Sequence, residues 1–384
     1  MVTRKSNEIL DQLAQTFKIV AITGPRQSGK TTLAKAFFDE KPYISLENPD
    51  ELAHATNDPR GFLSQFPDGA VLDEVQRTPQ LFSYLQQIVD EDSRKALFVL
   101  SGSNNFLLQQ SITQSLAGRV GYLELLPFCL KEIQETPCKN FSTNESIFYG
   151  SYPAVIYEKL NPRLWFQSYI RTYIERDVRQ LKNINDLALF QKFLYVCAGR
   201  VGQEINFSKL GNEIGIDHKT AAAWLGILEA SYIVYFLQPY YKNFNKRIIK
   251  APKLYFYDTG LAANLLGIRQ AEDLQYHSYR GPLFENLVIT ELLKNRYNMG
   301  EKSNLYYFKD SIGNEIDIVI DEGQKLKAIE IKSGATLAGD YFKNLHYWQK
   351  VTNQTDGGVL YDGIKNESKH GEFYAWNWRK VTDF

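Results

Sequence analysis

The chain has little cysteine, methionine or histidine: its 384 residues include 3 Cys, 2 Met and 5 His. Cys129, Cys138 and Cys197 are odd in number and scattered, which excludes a paired zinc motif or a disulfide framework and fits a reducing compartment. No apolar run approaches membrane-spanning length, and Met1 to Gln15 is polar with helical spacing, without the apolar core of a secretory signal. A cytoplasmic protein without membrane association is expected. Charge of one sign is also missing, since 44 Lys and Arg balance 44 Asp and Glu. With no global basic field, any contact with nucleic acid has to be local. The length allows two or three domains, each burying its own core.

What the chain does have is concentrated in a few stretches. Gly24-Pro25-Arg26-Gln27-Ser28-Gly29-Lys30-Thr31 fits the pattern glycine, four residues, Gly-Lys-Ser/Thr without a mismatch. Phe17 to Ile22 reads as a buried strand and Thr32 to Phe38 as the start of a helix. That order points backbone N–H groups and a helix N-terminus at a polyphosphate. Nucleotide binding through Gly24 to Thr31 and Thr32 is therefore expected, with Lys30 reaching the β- and γ-phosphates and Thr31 holding Mg²⁺. Gly69-Ala70-Val71-Leu72-Asp73-Glu74 is a second landmark, an apolar strand ending in two carboxylates. Asp73 is assigned to the metal and Glu74 to the attacking water. The buried strand Ala96 to Leu100 runs into Ser101-Gly102-Ser103-Asn104-Asn105, where Ser103 or Asn104 is a candidate γ-phosphate sensor. Arg119, in Leu116-Ala117-Gly118-Arg119, is a candidate to neutralise the transferring phosphoryl group, in its own subunit or a neighbour, with a plain surface salt bridge as the competing reading.

These signatures, in this order, resemble the AAA-like P-loop ATPases, in a prokaryotic branch where the phosphate loop is followed by Leu-Asp-Glu-Val-Gln, Ser-Gly-Ser-Asn and Leu-Ala-Gly-Arg. The resemblance covers residues 17 to 127. It implies ATP and Mg²⁺ as ligands, an ATPase domain over residues 1–126, and a five-stranded parallel sheet. An extra strand is implied between the loop strand and the Asp-Glu strand, with Tyr43 to Leu46 flanking.

Residues 127–185 read as a helical lid or connector. Over 186–262, a helix containing Leu210 and Ile214, a turn at Gly215, an N-cap at Asp217 and a helix from Lys219 to Ser231 precede strands at Tyr232 to Leu237 and Lys253 to Tyr257. That is the order of a winged helix. Its second helix offers only His218, Lys219, Thr220 and Trp224 to a groove, too few for base reading. The wing is better supplied, with Lys242, Lys246, Arg247, Lys250 and Lys253 suited to DNA phosphates. Packing or oligomerisation is the competing use.

In residues 263–384, Pro282 to Tyr297 reads as a long helix, and Leu305 to Phe308, Glu315 to Ile320 and Leu326 to Lys332 as strands. Alternation puts Ile316, Ile318 and Ile320 on one face and Asp317 on the other; Glu330 and Lys332 likewise oppose Ile329 and Ile331. Two carboxylates and an ammonium brought together this way suit Mg²⁺ binding and phosphodiester cleavage. The constellation resembles the restriction-endonuclease-like superfamily, with Glu285, Asp317, Glu330 and Lys332 at its positions and Asp317 and Glu330 as implied metal ligands. The three-part architecture resembles a widespread family of prokaryotic ATPases.

An α/β protein is expected, with a parallel-sheet P-loop ATPase domain, a helical and winged-helix middle, and a restriction-endonuclease-like C-terminal domain. Its expected function is ATP binding and hydrolysis, regulating an Mg²⁺-dependent DNA-processing nuclease or a DNA-associated switch. The alternative is an ATP-driven interaction module, with a homo-oligomer or protein partner, whose nuclease-like domain only binds.

Overall fold

The computed structural model describes residues 2–102, 112, 115–173, 184, 186–241 and 251–384. Five parallel strands build the first sheet: β1 (Ile19–Thr23), β2 (Tyr43–Ser45), β3 (Ala70–Asp73), β4 (Phe98–Ser101) and β5 (Val120–Glu124), in the order β2-β3-β4-β1-β5. β4 is the strand inserted between the loop strand and the Asp-Glu strand, and β2 flanks. Every residue of β1, β3 and β4 is buried, because helices cover both faces. Alternation sorts the apolar side chains. Val20, Ile22, Val71 and Val99 pack with Leu10 of α1 (Asn7–Thr16) and Leu33 of α2 (Lys30–Phe37). Ile19, Ala21, Leu72 and Leu100 meet Leu81, Leu85 and Val89 of α3 (Leu81–Glu91). The polar stretch after β2, which periodicity leaves unassigned, forms helices Pro49–Asn57 and Pro59–Ser64. Each starts with proline, where a missing N–H costs nothing, behind a capping side chain: Asn48 accepts from Asp50 N at 3.0 Å and Asp58 from Gly61 N at 2.9 Å.

The chain divides into two compact units, residues 1–128 with 230–232 and 296–301, and the remainder. The segments expected as separate domains at 127–185, 186–262 and 263–384 thus fall almost wholly into one unit, and β-pairing explains why. In that unit α4 (Leu187–Ala198), α5 (Phe207–Ile214) and α6 (His218–Ala230) precede the antiparallel hairpin of β6 (Val234–Pro239) and β7 (Lys253–Phe256). Gly215, at φ 80°, ends α5, and Asp217 accepts from Lys219 N at 2.8 Å and Thr220 N at 3.1 Å to start α6. Helix, turn, helix and hairpin follow in the expected order. The hairpin, however, joins the C-terminal sheet through a parallel contact of β6 with β8 (Leu305–Lys309), Gln238 opposite Tyr306.

The second sheet is mixed and eight-stranded: β12-β13-β11-β10-β9-β8-β6-β7. β9 (Glu315–Asp321) and β10 (Leu326–Lys332) are its antiparallel centre, flanked by α7 (Arg280–Asn298) and α8 (Lys343–Thr352) in the chain. β11 (Gly357–Tyr361), β12 (Glu367–His370) and β13 (Phe373–Asn377) extend it beyond the strands read from sequence. Among the described residues no helix is long and apolar enough to cross a membrane.

Candidate functional site

The phosphate loop runs from the C-terminal end of β1 into α2. Gly24 has φ 138°, and a Cβ there would lie 2.2 Å from the Leu125 carbonyl oxygen, so only glycine fits between loop and β5 end. Gly29, at φ 95°, makes the left-handed step into α2. Lys30 is 6% exposed and folds back onto the loop, donating to the carbonyls of Gly24 at 3.0 Å and Pro25 at 2.6 Å. The Ser28 hydroxyl oxygen is buried and has no hydrogen-bond partner among the described residues. Thr32 faces out, one residue beyond the loop.

Asp73 ends β3 level with Ser45 on β2 and Ser101 on β4. Its Oδ2 accepts from Thr31 Oγ1 at 2.9 Å and from the Tyr43 hydroxyl at 2.5 Å. Its Oδ1 accepts from Ser101 Oγ and from Glu74 N at 3.1 Å. Burial, together with the Asp73 contact, pushes the Tyr43 phenol well above its ordinary value, so it stays a donor. Tyr43 and Ser101 escape a sequence reading because nothing local marks them; strand register alone brings them to Asp73. Glu74 follows in a left-handed conformation at φ 55°, its carboxylate accepting from the Gln76 amide.

Arg4, also missed, is 7% exposed and clasps the loop from behind, donating to the Ser28 carbonyl at 2.8 Å and the Leu126 carbonyl at 2.6 Å. Its guanidinium lies 5.1 Å from the Phe128 ring centre. The expectation for Arg119 is corrected within its own chain. Its carbonyl accepts from Ile19 N at 3.2 Å, at the start of β1, while the phosphate loop leaves the other end. Its guanidinium grips Asp90 at 2.6 and 2.8 Å in a surface ion pair. The sensor candidates Ser103 and Asn104 lie outside the described residues, as do Lys242, Lys246, Arg247 and Lys250.

The C-terminal unit brings Glu285, Asp317, Glu330 and Lys332 into one charged cluster. Lys332 Nζ bridges Asp317 Oδ2 at 3.2 Å and Glu330 Oε2. Asp317 also accepts from Ile331 N at 2.7 Å, and Asn344 of α8 donates to Glu330 Oε1 at 3.3 Å. Burial and the Asp317 charge push the Glu330 carboxyl up to about 8, outweighing the opposite pull of Lys332. Glu285, on α7, accepts from the Tyr255 hydroxyl; burial and Asp317 push it up to about 7 against the pull of Lys253.

Two readings from the middle segment are corrected here. Lys253 is no phosphate-gripping wing residue: it is 3% exposed, and its ammonium pairs with Glu315 and with Glu285 at 3.5 Å. β7 joins the sheet, so its side chains point into the unit. Trp224, read as a groove residue, is 4% exposed and packs edge-on against Phe190 and Phe193, with ring centres at 5.2 and 5.4 Å. Asp317 and Glu330 do not fit a divalent ion as arranged. One oxygen of each, Asp317 Oδ2 and Glu330 Oε2, is tied to Lys332, and among the described residues no group of three or more His, Cys, Asp or Glu side chains is placed to hold a metal.

Residues 16–134 match a family model described as AAA domain. Residues 140–272 and 280–381 match two models each described as a domain of unknown function, DUF8612 and DUF4143. Two uncharacterized mycobacterial proteins, one of Mycobacterium tuberculosis and one of Mycobacterium bovis, are each 29% identical over 322 residues, spanning 83% of this chain and 71% of theirs. Among solved structures, a Walker-type ATPase of Pyrococcus abyssi is 14% identical over 68% of this chain and 94% of its own, with a TM-score of 0.45. RuvB of Thermotoga maritima is 18% identical over 60% of this chain and 85% of its own, with a TM-score of 0.29. The AAA-domain match over residues 16–134 agrees with the phosphate loop and the strand order of a P-loop ATPase fold.

Proposed function

We propose that this protein binds ATP with Mg²⁺ at the phosphate loop, hydrolyses it, and uses the nucleotide state to switch what its C-terminal unit binds. The observation that carries the ATPase reading is the 2.9 Å hydrogen bond from Thr31 to Asp73 at the foot of the loop. The unpartnered Ser28 hydroxyl and the tight Gly24 turn suit a polyphosphate. Loop amides would receive the phosphates, and Lys30 would exchange the Gly24 and Pro25 carbonyls for β- and γ-phosphate oxygens. Thr31 and Asp73 would hold Mg²⁺, which neutralises phosphate charge when bound, and Glu74 would orient the attacking water. ATP turnover and nucleotide binding of wild type, Lys30→Ala, Asp73→Asn and Glu74→Gln test this side by side. Glu74→Gln should keep nucleotide and lose about 10²–10⁴-fold in turnover, the usual share of a positioned base. Wild-type turnover by Lys30→Ala sinks the reading.

Binding by the C-terminal unit is favoured over cutting because two lysines already hold its carboxylates. The partner would be a protein or a second copy of this chain, and sedimentation with ATP against ADP reads it. Three free cysteines suit a cytoplasmic setting. DNA processing is the second reading, supported by the joining of Asp317, Glu330 and Lys332 in one cluster. The wing residues Lys242, Lys246, Arg247 and Lys250 would add phosphate contacts. Cleavage of linear or supercoiled DNA that is lost in Lys332→Ala would establish it.

A further inference from the structure

We infer that Lys253 is the resident cation of the C-terminal acidic cluster, its ammonium filling the Glu285 and Glu315 side that would otherwise be open to a divalent metal. The inference rests on the reading in which this unit binds rather than cuts, and it gives that reading a physical cause. Three observations carry it.

The first is burial. The Lys253 side chain is 4% exposed, and an ammonium so far from water is tolerated only with close countercharges. It has them on two elements, Glu315 of β9 and Glu285 of α7, the latter at 3.5 Å. Its ammonium also sits 5.3 Å from the Tyr307 ring centre. Burial alone would lower its pKa; the charges of Glu285, Asp317 and Glu315 outweigh burial and raise it, so the cation is permanent.

The second is charge. Glu285 and Glu315 pair with Lys253, Asp317 and Glu330 pair with Lys332, and the charge of Asp317 acts on both lysines. Lys309 closes the rim, bridging Glu315 at 3.2 Å and Glu204 at 2.7 Å. A divalent ion entering beside Lys253 would meet a fixed like charge in a poorly solvated place.

The third is anchorage. Lys253 opens β7, whose neighbour Leu254 exchanges backbone bonds with the turn at 202–203: Gly202 N to Leu254 O at 2.8 Å and Leu254 N to Gln203 O at 3.0 Å. Tyr255, two residues on and on the same face, donates its hydroxyl to Glu285. The hairpin therefore presents both a cation and a hydrogen-bond donor to Glu285, and its backbone is held from both sides.

Replacing Lys253 should open a metal site that the wild type lacks. Mn²⁺ would be titrated into nucleotide-free full-length wild type, Lys253→Met, Asp317→Asn and Lys253→Met/Asp317→Asn, with free Mn²⁺ read by electron paramagnetic resonance. The expected result is a Mn²⁺ site in Lys253→Met at least about tenfold tighter than any in wild type, and lost in the double variant. Mn²⁺ bound by wild type and released in Asp317→Asn would overturn the role of Lys253 while leaving a metal-dependent site standing. No Mn²⁺ at the cluster in a folded Lys253→Met protein would overturn it by removing the metal site itself. If Lys253→Met does not fold, Lys253→Gln, which keeps a hydrogen-bond donor for Glu285 and Glu315, carries the same titration with the same two outcomes. DNA cleavage, measured separately, reports on the functional reading alone.

Discussion

Asp73 shows how much of this protein's chemistry is settled one side chain at a time. Its two oxygens accept from Thr31, Tyr43, Ser101 and the Glu74 amide, so the carboxylate is aimed before any ligand arrives. Arg4 does for the loop what these donors do for Asp73. Two charge-assisted bonds, each worth about 1.5–3 kcal/mol, tie the Ser28 carbonyl to the end of β5 through one guanidinium. Arg4→Gln should raise KM for ATP roughly tenfold, with a smaller change in kcat, because it loosens the loop without touching the water side. Arg4→Lys should rescue only in part, since an ammonium lacks the planar fork that spans two carbonyls. Steady-state kinetics check both; an unchanged KM in Arg4→Gln would remove Arg4 from loop positioning.

At the level of elements, the β9–β10 pair concentrates charge that burial penalises. Glu330 titrates near 4.5 when unfolded and is pushed up to about 8 when folded. Between those values the folded protein keeps a proton that the unfolded chain has released, so this contribution to stability is present at low pH and is lost as pH rises through about 8. Glu285, pushed up to about 7, acts in the same direction over a narrower window. Melting temperatures of wild type and Glu330→Gln, compared at about pH 5.5 and about pH 8.5, should diverge in favour of the variant at the higher pH. A constant difference would mean that Lys332 keeps Glu330 ionised throughout. The same alternation that places Asp317 and Glu330 was legible in the sequence, because Ile316, Ile318, Ile329 and Ile331 mark the apolar face. Lys253 was not legible, because its neighbours read as a basic wing and only the β6–β8 contact turns that strand inward.

For the whole molecule, sheet continuity matters more than segment boundaries drawn along the chain. Residues 263–384 hold β8 to β13, yet β8 is flanked by β6 of the preceding hairpin. A fragment of residues 263–384 would expose the β8 edge and leave Glu285 and Glu315 without Lys253. It should aggregate more strongly than a fragment of residues 129–384, which keeps the hairpin against β8. Size exclusion and circular dichroism of both fragments check this. A well-behaved 263–384 fragment would show that the hairpin is dispensable to the sheet.

The sequence by itself determined the parts whose signal is local. The phosphate loop needs glycine at fixed spacing, strands buried on both faces read as short apolar runs, and an Asp-Glu pair at a strand end stands out from its neighbours. Periodicity likewise located α7, β9 and β10 to within a few residues. Tertiary structure alone decided what depends on distant neighbours. Register delivers Tyr43 and Ser101 to Asp73, and the N-terminal segment carries Arg4 to the loop. Arg119 falls just before β5, a strand length from the phosphate loop, and only the fold chose its surface pair with Asp90 over a place at the nucleotide. The hairpin's place in the eight-stranded sheet turns Lys253 from a surface charge into a buried counter-ion. The physical reason is the same in each case: side-chain type and spacing set what a segment becomes, whereas long-range pairing sets which charges must share a dry space.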